Sequence, residues 1–461
     1  MTIAERLNSS FRDPSGFIFR SGGVIFRQID APYKADWLCL SESGLLAELI
    51  DEGLLVAHES APLSCAVSEG AIAVIRPEPI PFVSYPYEWS FSQLKDAALL
   101  TIAIQKRAIA RGMSLKDASA YNIQFLRGRP IFIDTLSFER YREGEPWVAY
   151  GQFCRHFLAP LALMARVDAR LGGLLKLHLD GVPLDLAARL LPSATRLQPG
   201  LLAHIHVHAR AQRGDARPGM TPAKAAHLSK TGLLALIDSL EATVAHLSWE
   251  PKNTEWAEYY TDTNYDAAAM ADKRRLVAAY IDDSKPEIRT CWDLGANDGS
   301  FSKLAAEAGY YTIAMDSDLA AVEKAYLDVR GSHESNVLPL IVDLTNPSPM
   351  LGWANAERDS LLDRGPAGLA LSLALIHHLA IGNNVPLPLI AEFFARVGEY
   401  VICEFVPKGD SQVARLLRSR EDIFDGYHEA GFEAAMSANF ELLRSEAIPG
   451  TVRRLYLFRR R

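Results

Sequence analysis

The chain has 461 residues, more than one ordinary core accommodates, so two or three domains are expected. Hydrophobic residues make up 49% and charged residues 23%, which excludes a disordered or fibrous chain, and the formal net charge of −8 argues against general nucleic-acid binding. The five cysteines form no CxxC pair and no metal-ligand spacing, so reduced thiols in a cytoplasmic protein are expected. The opening residues lack the charged-then-apolar order of a signal peptide, and apolar helical runs such as Phe157 to Met164 are far shorter than a bilayer span.

Three textures follow one another: an α+β region over 1–150, a helical region over 151–250, and alternating strands and helices over 251–461. The polar stretch Trp249 to Glu255, with one proline, marks the main boundary. In the first region, two apolar runs around Ser21-Gly22-Gly23 predict a hairpin over Gly16 to Arg27. A helix is expected near Ser43 to Glu52, stopped by Gly53, then strands over Ala71 to Arg76 and Pro81 to Tyr87. The spacing of Leu94, Ala98, Thr101, Ile102 and Gln105 predicts a long amphipathic helix over Phe91 to Arg111 that ends at Gly112. A loop over Ser114 to Asn122 and a second hairpin over Ile123 to Asp134 come next. The middle region predicts helices over Phe153 to Ala169, Leu171 to Leu179 and Leu184 to Leu191. Its His204, His206 and His208 would share a face on an extended segment, yet no carboxylate or cysteine nearby completes a metal set, so no metal site is expected.

The C-terminal region carries the most specific pattern. A short strand ends at Asp293, a tight loop holds Gly295, Asn297 and Gly299, and a helix runs from Ser300 to Ala308. Glycine is needed where a ligand approaches the backbone closely, and the helix start offers free N–H groups to an anion. A second strand ends in Asp316, where a carboxylate can accept both hydroxyls of a ribose. A third, Val337 to Val342, ends at Asp343, placed to reach an adenine amino group. A fourth, Gly368 to Ile376, leads into His377 and His378, and a fifth, Tyr400 to Glu404, follows a helix over Pro388 to Val397. Phe440 to Ile448 and Arg453 to Arg459 close the chain as an antiparallel pair.

Over residues 260–461 this pattern resembles the class I S-adenosylmethionine-dependent methyltransferases, whose glycine loop D/E-x-G-x-G-x-G is matched by Asp293-Leu-Gly295-Ala-Asn297-Asp-Gly299. Asn297 stands for the middle glycine and tolerates left-handed backbone better than most residues. The resemblance implies a Rossmann-like seven-stranded sheet with S-adenosylmethionine as cofactor. Asp293 and Gly295 would lie by its methionine part, Asp316 by the ribose and Asp343 by the adenine. His377 or His378, and Glu404, are the candidate catalytic groups for a hydroxyl or amine acceptor. Adjacent residues on an extended segment point to opposite sides, so at most one histidine is expected to face the acceptor. Lys273, on a helix before the sheet, either covers the cofactor or is solvated. The loop over Asp343 to Arg358 is either a lid bearing Trp353, Glu357 and Arg358 or a surface loop pinned by a buried tryptophan.

In the first region, Asp117 and Asn122, followed after a hairpin by Asp134, resemble the catalytic loop and metal-binding aspartate of protein-kinase-like phosphotransferases. That resemblance implies a nucleotide and magnesium site, with ATP as a second ligand. Leu115 stands where that family has histidine, Thr135 and Leu136 replace its phenylalanine and glycine, and Arg27 and Glu48 are the only guesses for its strand lysine and partner glutamate. The expected whole is a cytoplasmic methyltransferase for a small-molecule or saccharide acceptor, looser in its likeness to bacterial methyltransferases of the nodulation-protein type, with a non-catalytic kinase-like accessory domain. An active ATP-dependent phosphotransferase in the first domain is the alternative. The sequence does not set the oligomeric state.

Overall fold

A computed structural model of the protein describes residues 4–215, 228–251, 265–332, 335–418 and 420–461. The chain divides into two compact units, one of Met1–Glu250 with Leu351–Arg358, the other of Pro251–Met350 with Asp359–Arg461.

The first unit opens with β1 (Glu5–Arg6), β2 (Gly16–Ser21) and β3 (Val24–Asp30), the last two paired antiparallel across the Gly22-Gly23 turn. An additional helix, α1 (Lys34–Glu42), precedes the one expected over Ser43 to Glu52, which forms as α2 (Leu45–Asp51); the two are separated at Gly44, whose φ of +77° departs from helical backbone. Then come β4 (His58–Ala61) and β5 (Ala71–Pro77), which complete a five-stranded sheet in the order β1-β2-β3-β5-β4. No strand forms over Pro81 to Tyr87: the segment is irregular and ends in a 3-10 turn at Pro86–Glu88. Two prolines remove the N–H groups a ladder needs.

Helix α3 (Phe91–Ala110) begins at a capping box in which Ser90 and Gln93 satisfy each other's backbone N–H, and it buries Leu94, Ala98, Ile102, Gln105 and Ile109 on one face. Beyond it, β6 (Met113–Leu115) pairs with β9 (Phe138–Arg140), enclosing the hairpin of β7 (Ile123–Leu126) and β8 (Arg129–Phe132). The middle of the chain is helical: α4 (Tyr150–Phe153) and α5 (Ala159–Arg166) joined by a π-helical turn, α6 (Leu174–Leu177), α7 (Leu184–Leu190), α8 (Pro199–Leu201) and α9 (His208–Asp215) joined by another, then α10 (Lys230–His246). The second π-helical turn carries His204 and His206, which therefore do not share an extended face with His208. His204 bonds the hydroxyls of Tyr150 and Ser239, each at 2.9 Å, His206 bonds Thr195 at 2.9 Å, and His208 stacks on Tyr150.

The second unit contains α11 (Ala267–Asp283), β10 (Thr290–Leu294), α12 (Ser300–Glu307), β11 (Tyr311–Asp316), α13 (Leu319–Gly331), β12 (Val337–Ile341), β13 (Ala367–Ser372), α14 (Leu387–Val397), β14 (Gly398–Phe405), α15 (Ser411–Leu417), α16 (Glu429–Ser437), β15 (Phe440–Ala447) and β16 (Arg454–Arg460). Its strands form one seven-stranded sheet in the order β12-β11-β10-β13-β14-β16-β15, parallel through β14, with β16 antiparallel to both neighbours. Val277 and Tyr280 of α11 and Ala305 of α12 pack with Cys291, Leu369, Ile402 and Leu455 of the sheet into one apolar core. No described helix is long and apolar enough to cross a membrane.

The β12–β13 connection differs from both readings of it. Trp353 is 73% exposed, so no buried tryptophan pins the loop. Instead Glu357 is buried in the first unit, where Arg12 Nε and Nη2 donate to its two oxygens at 3.1 Å each. Arg358 places its guanidinium 4.4 Å from the Tyr121 ring centre. Burial pushes the Glu357 carboxyl up, but the Arg12 hydrogen bond and the Trp353 N–H outweigh it, and the net direction is down. Glu357→Ala is expected to destabilise the first unit by roughly 1–3 kcal/mol at neutral pH, read by urea unfolding. Because the folded carboxyl titrates below its unfolded value, the difference from wild type is full above the ordinary carboxyl range and shrinks as the pH falls through it.

Candidate active site

Strand β10 delivers Asp293 to the mouth of a cleft also lined by Tyr265, Lys273, Gly295, Asn297 and Phe301. Asp293 is 2% exposed and accepts a 2.6 Å hydrogen bond from the Ser302 hydroxyl. The loop then turns through Gly295 and Asn297, with φ of +74° and +50°. Backbone N–H groups of Gly295 and Ala296 both donate to the Met315 carbonyl at 2.9 Å, fastening the loop to β11. Gly299, with φ of +76°, starts α12. A Cβ on Gly295 would lie 3.2 Å from Leu375, so a larger residue would press on Leu375 as well as strain the turn.

Asp316, half-buried at the end of β11, accepts the Asn297 N–H on one oxygen and the Asp318 N–H on the other, each at 2.8 Å. This sets the carboxylate plane beside the loop and leaves a lone pair on each oxygen. Burial pushes Asp316 up, against the pull of those two N–H groups. Asp293, without backbone donors, is pushed by burial up to about 7 despite the Ser302 bond. Asp343 lies just past β12, exposed, with Oδ1 accepting the Thr345 N–H at 2.8 Å and its hydroxyl at 2.6 Å. The structure thus joins Asp293, Gly295, Asn297, Gly299 and Asp316 in one place and leaves Asp343 at a solvent-facing strand end.

Strand β13 stops at Ser372, short of the expected Ile376, and His377 and His378 sit in a helical turn. Their rings lie side by side, 4.1 Å between centroids, in place of the opposed directions of an extended segment. His377 is fully buried, and neither ring nitrogen has a hydrogen-bond partner among the described residues. Burial holds it well below the usual imidazole range, with His378 adding to the effect, so the ring is neutral at physiological pH. Burial and then Arg415 lower His378 to about 4.

Glu404 is fully buried on β14. Lys273 Nζ lies 2.6 Å from its Oε2, Arg453 Nη1 lies 3.1 Å from its Oε1, and the Tyr265 hydroxyl donates to Oε1. Burial pushes this carboxyl up, but Lys273 and Arg453 overcome it and bring it to about 2. Arg453 also holds Asp410 in a two-point pair, 2.7 and 3.1 Å. Lys273 is buried with its ammonium over the rings of Tyr265 and Phe301, at 4.7 and 4.9 Å, so it is not a solvated helix-face lysine. Tyr265, Asp410 and Arg453 escape sequence reading: none carries a local motif, and Tyr265 and Arg453 stand far from Glu404 in the chain.

In the first unit, Asp117, Asn122 and Asp134 also gather. Asp117 accepts the Ser119 N–H at 2.9 Å and Gln152 Nε2 at 2.8 Å. Asn122 donates to Ser137 Oγ at 3.1 Å, and Ser137 donates to Asp134 at 2.5 Å. Arg27 reaches the other Asp134 oxygen at 2.7 Å and Asp13 at 3.0 Å. A Cβ added at Gly22 or Gly23 would meet nothing within 4 Å among the described residues; it is the preceding turn, with Asp13, that approaches Arg27. Glu48 pairs with Arg111 at 2.7 Å, away from Arg27.

The strand order of the second unit, the glycine loop after its first parallel strand and the acid closing the next define a protein of the class I S-adenosylmethionine-dependent methyltransferase fold. The chain belongs to the NoeA family: it is 37% identical over 462 residues to nodulation protein NoeA of Rhizobium meliloti (strain 1021), covering 99% of this chain and 96% of that relative. No family model matches it. Among solved structures it is similar to magnesium protoporphyrin IX methyltransferase ChlM of Synechocystis PCC 6803 with bound SAH, at 16% identity and a TM-score of 0.31 over 45% of this chain and 92% of that one. It is also similar to N-methyltransferase NodS of Bradyrhizobium japonicum WM9, at 9% and 0.32 over 42% and 98%. For the bifunctional kinase-methyltransferase WbdD the values are 13% and 0.31 over 45% and 43%.

Two expectations follow from the buried carboxyls. Asp293 keeps its proton when folded at pH values where the unfolded chain has lost it, so its contribution to stability falls as the pH rises from about 3.8 to about 7. Asp293→Asn is therefore expected to raise stability by roughly 1–3 kcal/mol at pH 8 and to have little effect near pH 4, measured by denaturant titration at both pH values. Arg453→Met leaves Glu404 and Asp410 buried with a single cation between them. It is expected to cost on the order of 3–5 kcal/mol in urea unfolding at pH 7.

Proposed function

We propose that this protein is a cytoplasmic S-adenosylmethionine-dependent methyltransferase for a small-molecule or saccharide acceptor, with a non-catalytic kinase-like first unit. The observation that carries the reading is the Asp316 carboxylate, oriented by the Asn297 and Asp318 N–H groups beside a loop whose Gly295 lines the cleft. When bound, the cofactor supplies an electrophilic methyl group. The residues present fit it: Asp316 would accept the ribose hydroxyls, Asp293 and Gly295 would border the methionine part, Asn297 and Gly299 would shape the turn, and Asp343 would serve the adenine edge.

The protein's own work is alignment and exclusion of water. His377 and His378 are the proposed proton acceptors; His377, a neutral imidazole with neither ring nitrogen hydrogen-bonded among the described residues, is in the state a base requires. Glu404, held ionised by two cations, is better suited to positioning Lys273 and Tyr265 along the cleft than to exchanging a proton. The acidic overall charge suits a small acceptor over nucleic acid.

For the first unit, the pairing of β6 with β9 around a hairpin, and the meeting of Asp117, Asn122 and Asp134, support the kinase-like reading. A magnesium–ATP site does not fit these residues as placed. Both Asp134 oxygens are engaged by Arg27 and Ser137, so a metal would have to displace a guanidinium from its carboxylate.

Titration of the full-length protein with S-adenosylmethionine tests the reading. Wild type is expected to bind one equivalent per chain, and Asp316→Ala to lose on the order of 1.5–3 kcal/mol of affinity while keeping its unfolding midpoint. Absence of binding by wild type, or unchanged affinity in Asp316→Ala, overturns it.

A further inference from the structure

In the first unit, three polar side chains meet without satisfying one another. The Arg358 guanidinium lies over the Tyr121 ring at 4.4 Å, and His156 meets the same ring edge-on with centroids 6.2 Å apart. Tyr121 Oη, His156 Nδ1 and Arg358 Nε are each buried, and each lacks a hydrogen bond among the described residues. His156 as a whole is 2% exposed. Native interiors leave few such groups, so three in one cluster call for a partner that the polypeptide does not provide.

The donors themselves indicate its sign. Arg12 and Arg358 share one carboxylate, Glu357, at 3.1 and 3.5 Å. The other acid acting on Tyr121, Glu88, is committed to the Tyr85 N–H at 2.9 Å. Burial and then the charges of Arg155 and Arg358 keep His156 from protonating, bringing it to about 3, so it meets a ligand as a neutral imidazole. One guanidinium, one hydroxyl and one imidazole N–H make a donor set for an oxyanion. A lone water has two acceptor sites for these three donors, fewer than an oxyanion supplies.

We propose that Tyr121, His156 and Arg358 form a binding site for the oxyanion group of a small ligand, a carboxylate or a phosphate. The Tyr85 ring, 6.2 Å from that of Tyr121, offers an aromatic wall for the ligand's carbon frame. The arginine comes from Leu351–Arg358, a stretch far along the chain that is built into the first unit, and Tyr121 directly precedes Asn122. The site is independent of the methyltransferase reading and stands or falls without it.

The test is thermal unfolding of the full-length protein titrated with sodium phosphate and, separately, sodium acetate, each against sodium chloride of matched ionic strength. Saturable stabilisation beyond chloride is expected from at least one anion; phosphate alone identifies a phosphate site and acetate alone a carboxylate site. The apparent dissociation constant is expected to rise about tenfold or more in Arg358→Gln. It should also rise several-fold in Tyr121→Phe, which keeps the ring and removes only the hydroxyl. Asp316→Ala should respond as wild type. Equal shifts in wild type and both variants, no shift beyond chloride, or crystals grown in phosphate that hold an ordered water only between the three groups would each overturn the proposal.

Discussion

The second unit is organised around a buried carboxylate. Glu404 has no exposure to solvent, and an uncompensated charge there would cost more than a domain of this size can spare. It is tolerated because Lys273 on α11 and Arg453 before β16 bracket it, and because Asp410 balances the second of these two cations. Two distant segments are thereby tied to the end of β14. Lys273 and Tyr265 both line the cleft, so the same compensation that makes Glu404 tolerable also fixes the wall against which a ligand is seated. Replacing such a cluster with apolar residues can be neutral for stability; what the ions add is a directed geometry.

The two acids at the loop show how adjacent strands produce different chemistry from one residue type. Asp316 receives two backbone N–H groups and is fixed in orientation. Asp293 receives a single hydroxyl and is left near the point of neutrality by burial. A cationic ligand group arriving at Asp293 would restore its charge, so stability given up in the empty protein is available to binding.

The first unit follows a different logic. Its acids converge, but each is answered from within: Asp134 by Arg27 and Ser137, Asp117 by Gln152 and its own turn. The unsatisfied groups lie one residue away, at Tyr121, with His156 and Arg358.

Much of the second unit was legible in the order of residues, because the signals are local. Apolar runs ending at Asp293 and Asp316, a loop that needs left-handed backbone at Gly295 and Asn297, and a closing antiparallel pair each depend on neighbours in the chain. The histidine pair was misread for a local reason as well: β13 ends four residues before the expected Ile376, and helical backbone puts both rings together. The seating of Lys273 and Arg453 on Glu404, of Arg27 on Asp134, and of Glu357 and Arg358 in the first unit was decided by tertiary structure alone. A charge pattern does not record its partner, since the pairing is fixed by which distant segments packing brings within a few ångströms and by how little water remains between them.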